Sequence, residues 1–218
     1  MNTKTSKSRA LVYGVLTILA VGMVIPFVWM LLASFKTSNE VFSIPMKLMP
    51  EIWHGENYQE IWKKIPLLTF FVNTTKLTLI TTVIQVLTSC FAAYGFAKVK
   101  FKGRDILFVI YVTTIAVPWQ VYMVPQFALM SKMQLTNSHL GLILMQAFSA
   151  FGVFLMRQFM MGIPGELLEA ARIDGLNEYG IFARIALPLV KPGIATLIIF
   201  TFVNIWNDFM GPMIYINS

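Results

Sequence analysis

Five long apolar runs, separated by segments that hold almost all the charges, constrain this chain more than any other feature. They cover Ala10–Phe35, the stretch between Lys76 and Lys98, Ile106–Ser131, Leu140–Met156 and a last run from Pro188 or Pro192 to Asp208. About 20 apolar residues in a helix span the roughly 30 Å hydrocarbon core of a bilayer. Only 12% of the residues are charged, against about 25% in an average soluble domain. We therefore predict an all-α, polytopic membrane protein.

The start of the chain resembles a signal peptide only superficially. Lys4, Lys7 and Arg9 precede the first run, but Ala10–Phe35 is longer than a signal-peptide core and has no convincing cleavage site. We expect an uncleaved first membrane helix, with Pro26 as a point where it can kink.

The composition argues against several classes of function. The net charge of +7 comes from bases at the ends of apolar runs, so it indicates membrane topology and not nucleic-acid binding. Cys90, His54 and His139 form no recognisable metal-binding set. Phosphate-binding loops and the common hydrolase motifs do not occur. We expect neither an enzyme nor a cofactor in this chain.

Two stretches contain local indications of structure: one lies between the first two apolar runs, and the other lies inside the third run. Residues 36–73 are mixed in character and are predicted to lie outside the cell, with a short surface helix over Asn57–Lys64. Pro118 and Pro125 predict a broken or kinked third membrane helix. That helix is either a gating element or one that leaves the membrane early near Pro125.

A few polar residues lie inside the apolar runs and are candidates to line a solute path. One set shares a helix face in the second run: Thr78, Thr82, Gln85 and Ser89. The other set lies at the end of the fifth run: Asn204, Asn207 and Asp208. The alternative is that the first set bonds to neighbouring helices or its own backbone, and that the second set caps the helix or pairs with another subunit.

The segment Met161–Val190 combines acids and bases between two apolar runs, and its local signals predict two short helices. Pro164 suits the first helical position, and Gly175 suits a left-handed helix end. Asn177 is a good N-cap for the second helix. Pro188 is expected to stop that helix or kink it into the next run. We predict a helix–turn–helix at a membrane surface.

This segment resembles the EAA loop of ABC-importer permeases at seven positions within twenty residues. The matching pattern is Glu169-Ala170-Ala171, three residues, Gly175, nine residues, Ile185, one residue, and Leu187-Pro188. The resemblance implies a cytoplasmic loop that docks on a separate ATPase subunit. Glu169, Ala170, Ala171 and Gly175 would then contact the ATPase, while Ile185, Leu187 and Pro188 would anchor the loop against the membrane helices.

Three further stretches are similar to the sugar-importing branch of this family, with looser matches: PFVWMLLASFK (26–36), NYQEIW (57–62) and TFVNIWNDFMGP (201–212). The resemblance implies one transmembrane permease domain over 1–218 of the type I ABC importer kind. Such permeases have six membrane helices, so we expect the sixth to be missing from this sequence. The implied partners are a second permease subunit, two ATPase subunits that bind ATP, an extracytoplasmic substrate-binding protein and membrane lipid.

The distribution of basic residues gives a separate test of topology. With the N-terminus in the cytoplasm, inside segments hold eleven lysines and arginines and outside segments hold six. Cytoplasmic loops of membrane proteins are enriched in these residues. This places Met161–Val190 in the cytoplasm of a bacterial cell, with the chain in the plasma (inner) membrane.

Three functions follow in order. The first is a permease subunit of an ATP-driven importer for a sugar or oligosaccharide. The second is the same kind of subunit for another solute, such as a polyol or phosphorylated polyol. The third is an ion-coupled secondary transporter, which the sequence disfavours because it shows no inverted repeat and few ionisable residues inside the runs.

Overall fold

The computed structural model describes residues 3–217, with side chains from Arg9 onward, and these residues form helices and no strand. The side chains of Lys4 and Lys7, which entered the count of basic residues, lie outside the described part. By its internal contacts the chain divides into two compact units, residues 1–70 and 71–218.

The first unit begins with a long helix, α1 (Thr3–Ala33), which contains Pro26 without ending there. Its apolar part, Arg9–Ala33, is long and apolar enough to cross a membrane, and none of it is buried inside the protein. Lipid is the environment that suits such exposed apolar side chains. The predicted first membrane helix is therefore present.

Two short helices follow, α2 (Ser38–Val41) and α3 (Asn57–Lys64), and the chain between them folds back on the end of α1. The amide of Asn57 donates hydrogen bonds to the carbonyls of Ser34 and Lys36, at 3.0 and 3.1 Å. Since α3 has no buried residue, it is the surface helix that the sequence predicted.

In the second unit, several apolar runs form a pair of helices that meet at a sharp bend. The helices from here to the C-terminus are α4 (Leu67–Lys98, which starts in the first unit), α5 (Arg104–Thr113), α6 (Trp119–Lys132), α7 (His139–Gln146), α8 (Ala150–Met161), α9 (Gly165–Ile173), α10 (Glu178–Ile181), α11 (Leu187–Leu189), α12 (Lys191–Trp206) and α13 (Met210–Tyr215). If each bent pair counts as one span, the described helices supply up to five candidate spans. That number matches the five apolar runs.

The third run is broken as predicted. A short 3₁₀ turn extends α5, and the chain then bends by 100° into α6. The break lies at Pro118, whose extended backbone (ψ 141°) precedes α6, whereas Pro125 lies within α6 without ending it. A proline is tolerated better near a helix start than in its interior.

Two features of the helices differ from the sequence prediction. The helix of the second run starts at Leu67, so Lys76 is an exposed residue inside α4 and not its boundary. The fourth run bends by 45° between α7 and α8. Ser149 starts α8 there, because its hydroxyl accepts a hydrogen bond from the Gly152 amide at 3.0 Å.

The main buried cluster of the second unit, here called the packed core, joins α4, α8, α12 and the segment after α9. Its members include Cys90, Ala93, Tyr94, Val153, Met156, Met160, Ile181, Phe182, Ala186 and Leu197. Three of these, Ile181, Phe182 and Ala186, come from the segment between α9 and α12, so the loop before α12 is packed directly onto membrane helices. A smaller cluster contains Met130, Leu142 and Tyr215.

Candidate functional site

The loop Met161–Val190 has the helix–turn–helix form that its sequence predicts. Helix α9 begins one residue after Pro164 and ends in a turn where Gly175 has φ 85°, a left-handed conformation that a side chain would strain. Asn177 caps the second helix, since its side-chain oxygen accepts a hydrogen bond from the Gly180 amide at 2.8 Å. The predictions for Gly175 and Asn177 are confirmed, whereas Pro164 is the N-cap of α9 and not its first helical residue.

The second helix of the loop is longer and less regular than expected. It runs from α10 through a π-helical stretch, Phe182–Ala186, into α11. The chain then turns by 81° into α12. The turn falls at Val190, two residues after Pro188, so Pro188 lies within the helical segment and not at its end.

The four residues assigned to ATPase docking divide into two groups. Glu169, Ala170 and Gly175 are exposed. Ala171 is only 3% exposed and packs in the core, as Leu168 does. The small side chain of Ala171 therefore lets α9 lie close to its own protein, and Glu169 and Ala170 are among the residues that α9 presents outward.

The three residues assigned to anchoring the loop also differ in burial. Ile185 and Leu187 are partly buried and pack against the core cluster. Pro188 is exposed.

A chain of polar contacts ties the loop to the membrane helix α4. The Tyr94 hydroxyl, on a side chain that is 5% exposed, donates a hydrogen bond to Glu178 Oε2 at 2.8 Å. Arg172 Nε donates to the other oxygen of Glu178, also at 2.8 Å. Because Glu178 lies in the loop outside the spans and accepts both bonds, first from Arg172 and then from Tyr94, the pKa of its carboxyl is lowered.

A second contact fixes the entrance to the loop. Lys98, the last residue of α4, donates a hydrogen bond from its amine to the carbonyl of Ile163 at 2.6 Å. Both ends of α9 are thus held against α4 by side chains that the loop pattern itself does not include.

A cavity of about 460 Å³ opens elsewhere in the second unit, among α4, α6, α7, α8 and α12. It is here called the polar cavity. Amides and one acid line it, namely Gln85, Gln126, Gln146, Asn204 and Asp208. Aromatic rings line much of the remaining wall, from Trp119, Tyr122, Phe148, Phe151 and Phe200. Aromatic surface with a few placed polar groups is typical of small-molecule binding sites.

Two side-chain pairs organise the polar part of this cavity. Trp119 Nε1 donates to Gln126 Oε1 at 2.8 Å. Gln146 Nε2 donates to Asp208 Oδ2 at 2.6 Å, and the Gly211 amide donates to Asp208 Oδ1 at 3.1 Å. Asp208 therefore both lines the cavity and caps the start of α13.

The predicted path residues reach this region only in part. Gln85, Asn204 and Asp208 line the polar cavity, and Thr78 lines a neighbouring cavity of about 70 Å³. Thr82 and Ser89 are buried on α4 and line neither of these two cavities. Asn207 bonds back to the Val203 carbonyl at 2.7 Å.

Three residues of this geometry were missing from the predicted path. Trp119 and Gln126 follow Pro118, the proline that breaks the third run. That proline indicates where the chain bends, but it does not indicate that these two side chains form a hydrogen bond. Gln146 is an isolated amide in an apolar run. Its polarity alone marks it, because buried or lipid-facing amides need a partner.

The described residues offer binding surfaces and no metal centre. Among them, no three His, Cys, Asp or Glu side chains form a group that could hold a metal ion. Cys90, the free cysteine, is buried in the packed core, where a thiol has no contact with solute.

A loop locked onto bent membrane helices and a polar cavity between such helices define a membrane transport protein. The chain belongs to the family described as binding-protein-dependent transport system inner membrane component, and a model of that family matches residues 85–218.

Curated relatives are named as permeases. The chain is 37% identical over 196 residues to the arabinooligosaccharides transport system permease protein AraQ of Bacillus subtilis, covering 88% of this chain and 70% of that protein. It is 34% identical over 208 residues to the polygalacturonan/rhamnogalacturonan transport system permease protein YtcP of the same organism, covering 95% and 72%. The chain is thus a transporter permease subunit and not an enzyme.

A solved structure supports the fold. All of this chain and 78% of the matching chain superpose with a TM-score of 0.87, at 24% identity, on a bacterial ABC transporter involved in the import of the acidic polysaccharide alginate. The predicted all-α fold of an ABC-importer permease is confirmed.

Proposed function

We propose that this chain is the membrane-spanning subunit of an ATP-driven importer that moves a sugar or oligosaccharide into a bacterial cell. Residues 1–218 act in one permease domain, with a second permease subunit, two ATPase subunits and an external substrate-binding protein as partners. The family and the names of its relatives support this class of solute. The exposed face of α9 is the observation that carries the coupling role.

That face has the character of a docking surface. Leu167 is 46% exposed and Ile173 is 86% exposed, and both lie near the exposed Glu169 and Ala170 on a helix of nine residues. Protein interfaces bury apolar side chains together with charges that fix orientation. We assign this face to contact with an ATPase subunit.

The contacts beneath α9 supply the means of transmission. Leu168 and Ala171 pack into the core, and Arg172 reaches the membrane helix through Glu178 and Tyr94. A partner can shift an equilibrium only if it binds the two states differently. We propose that the ATPase subunits bind α9 in different positions before and after ATP binding, and that α4 and α12 follow.

The orientation of the chain in the membrane follows from the assignment of α9 to the ATPase contact. The ATPase subunits are cytoplasmic, so the loop Met161–Val190 faces the cytoplasm and the N-terminus lies on the same side. Residues 36–73 then face outward, toward the binding protein. We assign the solute path to the polar cavity, where Gln85, Asn204 and Asp208 offer hydrogen bonds to hydroxyl groups.

Co-purification with the ATPase subunit tests this proposal. The second permease and the ATPase would be co-expressed with the parent chain, with Glu169→Lys and with Glu60→Lys, and captured from membranes. Glu60 is the matched control because it is also an exposed glutamate on a short helix, α3, in the segment assigned to the opposite side of the membrane. Charge reversal at an interface contact typically costs several kcal/mol, so we expect Glu169→Lys to reduce capture strongly and Glu60→Lys to leave it unchanged.

Equal capture of all three chains would remove Glu169 from the interface. Failure of the parent chain to capture any ATPase, with the second permease present, would contradict the importer assignment itself.

A further inference from the structure

We propose that the polar cavity binds an uncharged, hydroxyl-rich saccharide and discriminates against uronates and other anionic sugars. This inference rests on the proposed function and narrows its substrate class. The relatives do not decide the question, because arabinooligosaccharides are neutral whereas polygalacturonan is a polymer of acids. The lining of the cavity does.

The charge of the cavity is the first argument. Among the described residues that line it, Asp208 is the one acidic side chain and none is Lys, Arg or His. Sites that bind carboxylates in proteins use arginine, lysine or clustered backbone amides. An anionic sugar would meet a carboxylate here with no cation in the lining to offset it.

The hydrogen bonds of Asp208 strengthen that argument. Its two oxygens accept from neutral donors, the Gln146 amide and the Gly211 backbone amide. These donors orient the carboxylate but do not cancel its charge. Like charges repel more strongly in a site partly shielded from water than in bulk solvent.

The amides give the cavity its affinity for hydroxyl groups. Gln126 uses its oxygen for Trp119, and Gln146 uses an N–H for Asp208. Each amide keeps further hydrogen-bonding capacity, since it has two donors and an oxygen acceptor. A sugar hydroxyl both donates and accepts, so it can use the remaining groups of both types.

The aromatic rings complete the match. Phe148 is 70% exposed and Phe200 is 53% exposed, and both line the cavity beside Trp119. The C–H faces of a sugar ring are apolar, so they bury against such rings while the hydroxyls at the edge reach the amides. Aromatic walls around mixed amide donors and acceptors suit a neutral glycoside.

A binding measurement on the assembled permease–ATPase complex tests the inference without the external binding protein, which would impose its own selectivity. The probes are arabinotriose, trigalacturonate and the methyl ester of trigalacturonate, each at millimolar concentration, followed by saturation-transfer NMR. The ester and the acid share their rings and differ in charge. We expect the acid to bind about tenfold more weakly than the ester, because of the carboxylate–carboxylate repulsion.

Two variants locate the effect. Asp208→Asn should bring the acid within about twofold of the ester, since the amide retains hydrogen bonding without the charge. Trp119→Ala should weaken all saccharide binding, and Trp62→Ala, in the exposed helix α3, should leave it unchanged.

The outcomes separate cleanly. Equal or tighter binding of the acid by the parent complex overturns the inference, as does binding that is insensitive to Trp119→Ala or an absence of binding by all three probes. An unassembled complex overturns the proposed function instead.

Discussion

The packed core and the polar cavity use the same residue types in opposite ways. In the core, Phe182 is 4% exposed, and its ring centroid lies 4.4 Å from that of Phe91 and 5.3 Å from that of Tyr94. In the cavity wall, Phe148 is 70% exposed. Closely packed rings resist displacement, whereas open rings are free to meet a ligand. This difference supports the proposal that the core transmits motion and the cavity receives a solute.

Charges divide in the same way. A groove of about 560 Å³ beside the loop is lined by several basic residues, namely Lys98, Lys100, Arg104 and Arg172, with Glu169 and Glu178. The polar cavity has Asp208 as its charged lining residue. The region assigned to a protein partner is rich in charges of both signs, and the region assigned to the solute is nearly neutral.

The largest expected difference between the two regions comes from matched phenylalanine truncations. Phe182→Ala should destabilise the protein by about 3–5 kcal/mol, because the packed core cannot fill the space. Phe148→Ala should change stability by less than about 0.5 kcal/mol. Thermal unfolding in detergent would measure both. Similar losses of Tm in the two variants would break the comparison.

The next effect concerns the close approach of α8 to α4. A Cβ added at Gly152 would lie 2.5 Å from Ser89 Oγ and 3.3 Å from Leu197 Cδ1. Gly152→Ala should therefore cost about 1–3 kcal/mol. Gly95, on α4, has no heavy atom within 4 Å of such a Cβ, so Gly95→Ala should be neutral or stabilising by up to about 1 kcal/mol.

The double variant Gly152→Ala with Ser89→Ala sharpens this test. It removes the clashing hydroxyl, so Tm should recover part of the loss. No recovery would mean that the tight contact is not the cause.

A smaller effect is expected at the cap of the loop's second helix. Asn177→Ala removes the acceptor of the Gly180 amide and should cost about 1 kcal/mol. Asn204→Ala, in the cavity wall, should stay within about 0.5 kcal/mol. Comparing the Tm values of the two variants checks the prediction, and a larger loss at Asn204 would contradict it.

The smallest effect is a pH dependence of the loop. Because the pKa of Glu178 is lowered from its ordinary 4.5 in the folded protein, its pairing stabilises the fold above that value and is lost as the pH falls through the folded pKa. Both partners are partly exposed, at 41% for Arg172 and 47% for Glu178, so solvent screening limits the effect.

The Tm of the parent protein should decrease as the pH falls below about 5. In Glu178→Gln this decrease should be smaller, by about 2 °C or less. Glu166→Gln is the control, since Glu166 is also exposed on α9 and makes no ion pair among the described residues. Parallel pH profiles for the parent and Glu178→Gln would refute the role of this carboxylate in stability.

Local signals in the sequence predicted the features that depend on nearby residues. Gly175 and Asn177 act through backbone conformation and a bond three residues away, and Pro118 breaks the helix that contains it. The five apolar runs match the candidate spans because bilayer thickness sets their length. Each of these follows from one short stretch read alone.

The remaining features depend on distant residues. Tyr94 and Glu178 are 84 positions apart, and Gln146 and Asp208 are 62 apart, so no local pattern pairs them. The bend before α8 follows an apolar stretch without proline, and only Ser149, as a possible N-cap, gave a signal. Thr82 and Ser89 share a helix face with Gln85, but packing by neighbouring helices decides which of them reaches the cavity.

The 81° turn at Val190 has a mechanical consequence. The segment from Glu178 to Leu189 is a continuous helical arm with a π-helical stretch at its centre, set almost at right angles to α12. A force along this arm acts across the axis of α12 and has little component along it. If the ATPase subunits move the loop as proposed, they tilt α12 like a lever about its cytoplasmic end and do not slide it like a piston.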